Sequence, residues 1–265
     1  MMVPHEAPRK GTSEVSSSSL PERVAGEAVR APAHRRDPDL TRERLVWRAG
    51  HDLVAGVDEV GRGAWAGPLS VGVAIVKAGV RGFPRGLRDS KQISEARREE
   101  LFDPVSAWCA AWAVGHASPE ECDSLGMNQA LRVAAGRALA AIAPPHMPGV
   151  FLVDGDLDFV GPPEGEWEHE VQLLVGGDAI CASIAAASVL AKVTRDRIMR
   201  DLAGSYPGFD FDRNKGYPSP AHRAALGRDG LTPIHRASWS YVERIQPGPN
   251  RLVRDPSAGR GRARR

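Results

Sequence analysis

Residues 53–63 read LVAGVDEVGRG, a valine-rich run that ends in two carboxylates and a glycine-flanked turn. Its apolar part, 53–60, predicts a buried strand bounded by glycines. Burial of a charge is costly unless the charge is paired or bound to a metal, so Asp58 and Glu59 mark a candidate site. Neighbouring side chains of a strand point to opposite faces, so the two acids converge only if the strand ends there. A solvated pair before a turn is the alternative that this segment alone leaves open.

The rest of the chain predicts a mixed sheet flanked by helices. Further strands are expected where short apolar runs end at turn residues, at 69–76, 110–116, 150–153 and 171–175. Helices are expected at 94–105, 127–142, 180–202 and 221–226, and a capping box starts a short helix at Ser118. The first half of 180–202 carries no charge, which is typical of a helix buried on all sides.

The two ends of the chain differ from its middle in composition. Residues 1–44 contain a serine run and recurrent prolines without apolar periodicity, which predicts a disordered N-terminal tail. Residues 247–265 are rich in glycine, proline and arginine, which predicts a basic disordered tail that contacts nucleic acid or aids solubility. Residues 45–246 remain as one domain, long enough to bury a sizeable core.

Composition and spacing exclude several classes of protein. The chain has 265 residues and a net charge of +2, and it lacks the run of roughly 18 apolar residues that a membrane span needs. The N-terminus lacks the apolar core of a secretory signal, so we expect a cytoplasmic protein. Three isolated cysteines argue against a disulfide framework or a zinc site. The glycines after Glu59 are spaced one residue too widely for a dinucleotide-binding motif, and a phosphate-binding P-loop is missing, so we expect no small-molecule organic cofactor.

Two further acids repeat the pattern of a carboxylate beside glycine at the end of an apolar run. Asp154 follows a short strand, and Asp178 precedes the long apolar helix. Each alone fits a bland role, Asp154 as a turn residue and Asp178 as a helix N-cap. Together with Asp58 and Glu59 they indicate a site for the hard cations Mg²⁺ or Mn²⁺. Two such ions can activate water and stabilise a leaving oxygen at phosphorus.

Lysine and histidine usage adds candidate contacts. Of 35 basic residues only five are lysines, and three of these, Lys91, Lys192 and Lys215, lie in the segments DSK, AKV and NKGY. A compact ammonium in an arginine-rich chain fits a phosphate contact or the orientation of a carboxylate, with chance placement as the alternative. His222 and His235 fit either proton transfer and phosphate binding or a structural role.

Several motifs together resemble one known family. They are AGVDEVGRG at 55–63, DSK at 89–91, VDG at 153–155, GD at 177–178, SIAAASVLAKVTRD at 183–196 and KGYP at 215–218 with His222. In order and spacing, across roughly residues 50–245, the chain is similar to ribonuclease HII. It departs from that pattern at Gly176, where a lysine is more usual, and at Ala64 and Trp65, where proline and leucine are more usual.

The resemblance implies a ribonuclease H-like α/β fold, with a five-stranded mixed sheet flanked by helices and a C-terminal helical extension. It implies that Asp58, Glu59, Asp154 and Asp178 form a metal-binding catalytic tetrad. A second set would contact nucleic acid: the backbone of Gly61, Arg62 and Gly63 at the ribonucleotide, Tyr217 at the sugar on the DNA side of an RNA–DNA junction, and Lys91, Lys192 and Lys215.

The activity implied by the resemblance is endonucleolytic. The substrates would be RNA–DNA hybrid and duplex DNA that contains a ribonucleotide, cut 5′ to the ribonucleotide with two divalent ions, Mn²⁺ or Mg²⁺. We expect a monomer without membrane contact. A catalytically silent nucleic-acid-binding module and a two-metal phosphoryl-transfer enzyme without a 2′-hydroxyl requirement are the alternatives.

Overall fold

The computed structural model of the protein describes residues 29–30, 37–161 and 169–242. Its strands are β1 (Val29–Arg30), β2 (Leu53–Val60), β3 (Leu69–Lys77), β4 (Ala111–Ala117), β5 (Val150–Asp154) and β6 (Glu170–Val175). Its α-helices are α1 (Thr41–Arg48), α2 (Glu95–Trp108), α3 (Pro119–Leu125), α4 (Met127–Ala140), α5 (Ala182–Ser205), α6 (Phe211–Asn214) and α7 (Pro220–Asp229). Short 3₁₀ helices lie at Ser90–Gln92, Pro144–His146 and Gly177–Ala179.

The strands form one mixed sheet in the order β1-β6-β5-β2-β3-β4. Strands β2, β3 and β4 are antiparallel neighbours, whereas β5 runs parallel to β2, and β6 runs parallel to β5. The predicted five-stranded mixed sheet is thus confirmed, and the two-residue β1 adds a parallel pairing at its edge. Because β2 and β5 are parallel neighbours, their carboxyl ends, with Asp58 and Asp154, meet at one edge of the sheet.

Helices cover both faces of the sheet. On one face α4 packs against β3 and β4 around a core that includes Leu131, Ala134 and Phe151. On the other face α5 packs against β2 and β3, and α2 packs on α5. Every residue from 181 to 191 is buried, which confirms the prediction of a helix enclosed on all sides.

A smaller cluster extends the domain at its C-terminal end. Phe209, Phe211 and Leu226, from α6, α7 and the segment before them, pack against Met199 near the end of α5. This cluster contains the predicted C-terminal helical extension. Within the described ranges no helix has the length and apolar character needed to cross a membrane.

The predicted boundary of the N-terminal tail is wrong by several residues. Helix α1 begins at Thr41, inside the segment expected to be disordered, and Glu43 is fully buried. One carboxylate oxygen of Glu43 accepts hydrogen bonds from the backbone N–H of Ser183 at 2.8 Å and from its hydroxyl at 2.7 Å. Glu43 thereby caps the start of α5 from a distant part of the chain. Residues 1–28, 31–36 and the predicted C-terminal tail at 247–265 lie outside the described residues.

Strand β2 and helix α5 approach each other as closely as a glycine allows. A Cβ atom added at Gly56 would lie 2.1 Å from the backbone carbon of Ser183 and 2.3 Å from the backbone nitrogen of Ile184. Neither backbone atom is able to yield as a flexible side chain would. Gly56 therefore sets the distance between the strand that carries Asp58 and the buried helix.

Replacement of Gly56 by alanine is expected to lower the free energy of unfolding by about 3 kcal/mol, the upper end of the usual cost of overpacking. Gly136→Ala in α4 is the matched control, because nothing lies within 4 Å of its added Cβ. That change is expected to stabilise by up to about 1 kcal/mol, since alanine is the better helix former. Denaturant unfolding measures both, and equal stability of Gly56→Ala and wild type would contradict the close approach.

Candidate active site

Three carboxylates converge at the carboxyl edge of the sheet. Asp58 comes from β2, Asp154 from the end of β5, and Asp178 from the 3₁₀ helix that follows β6. One oxygen of each lies within 4.8 Å of the others, and Asp58 and Asp178 are each only 4% exposed. The parallel register of β2 and β5 explains why Asp58 and Asp154 are close. Val57 pairs with Val153, so Asp58 and Asp154, the next residues of the two strands, lie side by side. Three of the four predicted acids therefore share one small volume.

Asp154 also holds the turn that presents Asp178. Its Oδ1 accepts a hydrogen bond from the backbone N–H of Gly177 at 2.7 Å. The preceding Gly176 has φ 71° and ψ 33°, a left-handed conformation that glycine adopts without steric cost. The departure from the family pattern at position 176 thus coincides with a backbone geometry that favours glycine. Asp178 is not the N-cap of α5, because that position belongs to Cys181.

Glu59 lies beside the three carboxylates but outside their 4.8 Å group. Strand β2 continues through both acids to Val60, as predicted, so the condition for full convergence of the two side chains, a strand that ends at the pair, is not met. The backbone N–H of Glu59 donates to Asp58 Oδ1 at 2.8 Å, and its carboxylate lies 3.8 Å from the guanidinium of Arg62. Burial is the main cause that raises the pKa of Asp154, and the negative charge of Glu59 adds to it. Glu59 therefore belongs to the same electrostatic site.

The carboxylates raise one another's affinity for protons. Burial raises the pKa of Asp58 well above its usual value, and the charges of Asp154 and Glu59 raise it further. Burial and the charge of Asp154 raise the pKa of Asp178 to about 6. Lys91 partly compensates, because its ammonium lies 3.1 Å from Asp178 Oδ2. A clustered, oxygen-only donor set with uncompensated negative charge fits a divalent cation of the hard class.

Two buried serines, Ser188 and Ser90, lie behind Asp58. Neither of them was identified from the sequence as a site residue. Ser188 of α5 hydrogen-bonds the carboxylate of Asp58, which favours the charged form and opposes part of the rise in its pKa. The Ser188 and Ser90 hydroxyls hydrogen-bond each other at 2.8 Å. Both serines lie inside motifs shared with the family, DSK and SIAAAS, and this position was the one sequence feature that could have identified them.

The loop between β2 and β3, residues 61–68, is called the glycine loop. Two buried arginines, whose role the sequence did not indicate, hold its backbone. Arg195 of α5 donates to the carbonyls of Pro68, Ala66 and Lys215 at 2.8, 3.1 and 2.8 Å. Arg236 donates to the carbonyls of Arg62 at 3.2 Å and Gly67 at 3.3 Å. Within this loop Arg62 and Gly63 are exposed. The loop thus has a rigid backbone and an open outer side.

Tyr217 closes the other side of this loop. The backbone N–H of Gly61 donates to the Tyr217 hydroxyl at 3.1 Å, and a Cβ at Gly63 would lie 4.0 Å from the ring. The guanidinium of Arg195 lies 5.3 Å and the ammonium of Lys192 lies 5.6 Å from the ring centroid. The structure therefore places Gly61, Gly63, Lys192 and Tyr217 in one neighbourhood.

The three predicted lysines have different surroundings. Lys91 is exposed beside Asp178, whereas Lys192 is half-buried with its ammonium 2.6 Å from Asp196. Lys215 is buried, and its ammonium lies 3.0 Å from Glu95 and also donates to the carbonyl of Asp212. A phosphate contact by Lys215 would have to displace these partners, so the structure does not bring its ammonium to the candidate site.

Comparison with known proteins places this geometry in a family. A family model described as ribonuclease HII matches residues 55–242. The chain belongs to the ribonuclease HII family. It is similar to the ribonuclease HII of Streptomyces avermitilis, at 48% identity over 209 residues that cover 78% of this chain and 86% of the relative. The protein is accordingly an endonuclease of the ribonuclease H type.

Solved structures agree on the fold. The ribonuclease H2 of Pyrococcus horikoshii matches with a TM-score of 0.60 and 31% identity, covering 73% of this chain and 96% of that one. Bst-RNase HIII in complex with Mn²⁺ matches with a TM-score of 0.56 and 20% identity, covering 73% and 68%. The first likeness confirms the ribonuclease H-like fold, and the second supports the fold alone.

The crowded carboxylates predict a pH-dependent effect of Asp58→Asn on stability. Acids whose pKa is raised on folding make the protein less stable as pH rises from about 4 through the raised values, here about 6 for Asp178. Asp58→Asn removes part of this repulsion. In EDTA we therefore expect the variant to melt near the wild-type temperature at pH 4 and several degrees above it at pH 7.5.

Divalent cation should reverse that order. Excess Mn²⁺ at pH 7.5 should raise the melting temperature of wild type more than that of Asp58→Asn, since bound ligand stabilises the folded state. The exposed Asp201→Asn, at the far end of α5, is the matched charge control and should show neither effect. If Mn²⁺ raised the melting temperatures of Asp58→Asn and Asp201→Asn by the same amount, a cation site at Asp58 would be contradicted.

Proposed function

We propose that this endonuclease hydrolyses the RNA strand of RNA–DNA hybrids and also cuts 5′ to ribonucleotides embedded in duplex DNA, by two-metal-ion catalysis. The observation that carries the proposal is the buried cluster of Asp58, Asp154 and Asp178 beside a glycine loop that is joined to Tyr217. The family acts on RNA–DNA hybrids, and the geometry of the loop supports the further recognition of single ribonucleotides.

The carboxylates are the groups that would hold the divalent ions. Asp58, Asp154 and Asp178 offer oxygens within 4.8 Å of one another, and the adjacent Glu59 completes the predicted tetrad. When bound, the ions supply Lewis-acid activation of water and neutralise charge that develops at phosphorus. Hard carboxylate donors favour Mg²⁺ or Mn²⁺, and Mn²⁺ is the ion bound in the related ribonuclease HIII structure.

The chain's own residues prepare the site for the phosphodiester. Ser188 orients Asp58, and the N–H of Gly177 orients Asp154. Lys91 holds Asp178 at 3.1 Å and places a positive charge at the exposed side, where a phosphate would arrive. In-line attack of water at phosphorus breaks the bond to the 3′ oxygen, which leaves a 3′-hydroxyl and a 5′-phosphate.

The loop supports a reading of the ribose. A 2′-hydroxyl is what distinguishes RNA from DNA at a single position. Arg62 and Gly63 are exposed, the glycines leave the backbone accessible, and Arg236 holds the carbonyl of Arg62 in place. The Tyr217 ring lies directly beside the loop. A ribose bound on the loop would therefore place the sugar of the following nucleotide against the ring. This arrangement supports recognition of a ribonucleotide followed by a deoxyribonucleotide.

The alternatives are less well supported. A silent binding module would carry four acids that repel phosphate, with no function for the raised pKa values of the cluster. A two-metal enzyme without a 2′-hydroxyl requirement would have no use for a loop backbone held by two buried arginines. The monomeric state and the cytoplasmic location stay predictions from the sequence.

Cleavage of three labelled duplexes tests the proposal. We expect the enzyme to cut a DNA duplex with one ribonucleotide and a long RNA–DNA hybrid in Mg²⁺ or Mn²⁺, and to leave all-DNA duplex intact and be inactive in EDTA. Asp58→Asn should lose at least about 100-fold in rate, the scale of removing one preorganised electrostatic group.

Binding separates the enzyme from the silent module. Asp58→Asn should still bind the hybrid, because the substitution removes a negative charge near the phosphates. Cleavage of the all-DNA duplex at a comparable rate would replace the proposal with the general phosphodiesterase. Binding of the hybrid without cleavage in either metal would replace it with the silent module.

A further inference from the structure

Two buried histidines form a directed hydrogen-bond chain that ends on Tyr217. The backbone N–H of Thr232 donates to His235 Nδ1 at 3.0 Å, so the proton of the neutral ring lies on Nε2. That Nε2–H faces His222 Nε2 at 2.9 Å, which places the His222 proton on Nδ1. The Nδ1–H of His222 then donates to the carbonyl oxygen of Tyr217 at 3.0 Å. Each donor in the chain meets one acceptor.

Both imidazoles are enclosed, so neither is available to a substrate. His222 is 0% exposed and His235 is 3% exposed, and Phe209 and Phe211 border both rings. Burial lowers the pKa of both, that of His235 to about 3, so both rings are neutral as the chain requires. Of the two roles that the sequence left open, the structure excludes direct phosphate contact and leaves a structural or positioning role.

The two histidines and Tyr217 are connected to the glycine loop at both ends of this hydrogen-bond series. The backbone of His235 pairs with Ala66 of the loop, and the N–H of Gly67 donates to the carbonyl of Ile234 at 2.9 Å. From His235 the side chains lead through His222 to the Tyr217 backbone. The Tyr217 hydroxyl returns to the loop by accepting from Gly61 at 3.1 Å. The Tyr217 backbone is therefore held at its N–H by the carbonyl of Asn214 at 2.9 Å and at its carbonyl by His222, while its hydroxyl is held by the loop. The loop also bonds the neighbouring Gly216 carbonyl directly, so His222 is the contact that anchors the carbonyl side of Tyr217 itself.

We propose that His222, whose ring is held in its donor tautomer by His235, is a positioning residue that sets the distance between the glycine loop and the Tyr217 ring, and thereby the preference for a ribonucleotide–deoxyribonucleotide junction. The inference rests on the proposed function, in which the loop holds the ribose and the ring meets the next sugar. A long hybrid has a ribose at every position of the cut strand and does not depend on one register. Loss of the anchor should therefore weaken the junction substrate more than the hybrid.

Two substitutions of His222 separate the effect of its hydrogen bond to the Tyr217 carbonyl from the effect of its packing. His222→Asn removes the ring but keeps an N–H donor near the position of Nδ1, whereas His222→Leu removes the ring and the donor. Both break the link to His235. Leucine fills about the same volume as histidine and asparagine fills less, so loss of packing alone would affect His222→Asn more than His222→Leu. Thermal melts of the two variants identify a temperature at which both are folded, and all measurements are made below it.

The first readout is the ratio of kcat/KM for the single-ribonucleotide duplex to kcat/KM for the long hybrid. His222→Leu should lower this ratio about tenfold relative to wild type, equal to about 1.4 kcal/mol. His222→Asn should keep it within about threefold. A purely structural role would lower both rates together and leave the ratio unchanged. Equal ratios in the two variants, whether high or low, would overturn the proposal.

The second readout does not depend on activity. The chain contains only three tyrosines, Tyr206, Tyr217 and Tyr241, so 3-fluorotyrosine labelling yields three ¹⁹F signals, and Tyr217→Phe identifies the relevant one. That signal should shift or broaden in His222→Leu and stay near the wild-type position in His222→Asn. An unmoved signal in His222→Leu would overturn the anchor. If wild type did not cut the single-ribonucleotide duplex, the proposed function would fail while this readout still tested the anchor.

Discussion

The concentration of buried negative charge at one sheet edge is the constraint on which the architecture depends. Carboxylate oxygens within 4.8 Å of one another repel strongly where water is excluded, so they do not remain together unless the backbone forces them to. The parallel register of β2 and β5 places Asp58 and Asp154, and the turn bonded to Asp154 places Asp178. Lys91 and a divalent cation then supply the charge that the backbone does not.

Helix α5 joins the carboxylate cluster to the glycine loop and Tyr217. Its first half packs on β2 at Gly56, is capped by Glu43 and carries Ser188 to Asp58. Further along the helix, Lys192 and Arg195 border the ring of Tyr217. One helix therefore sets the position of the carboxylate cluster relative to the glycine loop and Tyr217.

The loop after β2 combines an exposed tip with a fixed backbone. Arg62 and Gly63 are exposed, whereas Ala64 and Ala66 are fully buried, and two buried arginines add hydrogen bonds to the loop carbonyls. The planar guanidinium suits this task, since its donors project in fixed directions toward several carbonyls at once. Arg195 and Arg236 use this property on carbonyls of the loop and of Lys215. Two positive charges are thus buried, and their hydrogen bonds fix the backbone of the loop. The neutral histidine pair links Tyr217 to the same loop.

Local pattern determined the strands, the capped helices, the buried α5 and the acids next to glycine, because periodicity and turn chemistry act over a few residues. It did not reveal α1, whose buried residue Glu43 is a charged side chain with a partner 140 positions away. Nor did it separate Glu59 from the three converging aspartates, or assign Lys215 to Glu95. Those outcomes, like the roles of Ser188, Arg195 and the histidine pair, depend on which distant groups meet once strands pair and helices pack. A sequence lists the groups able to bind a cation or hold a loop, and only the tertiary structure decides which are close enough to do so.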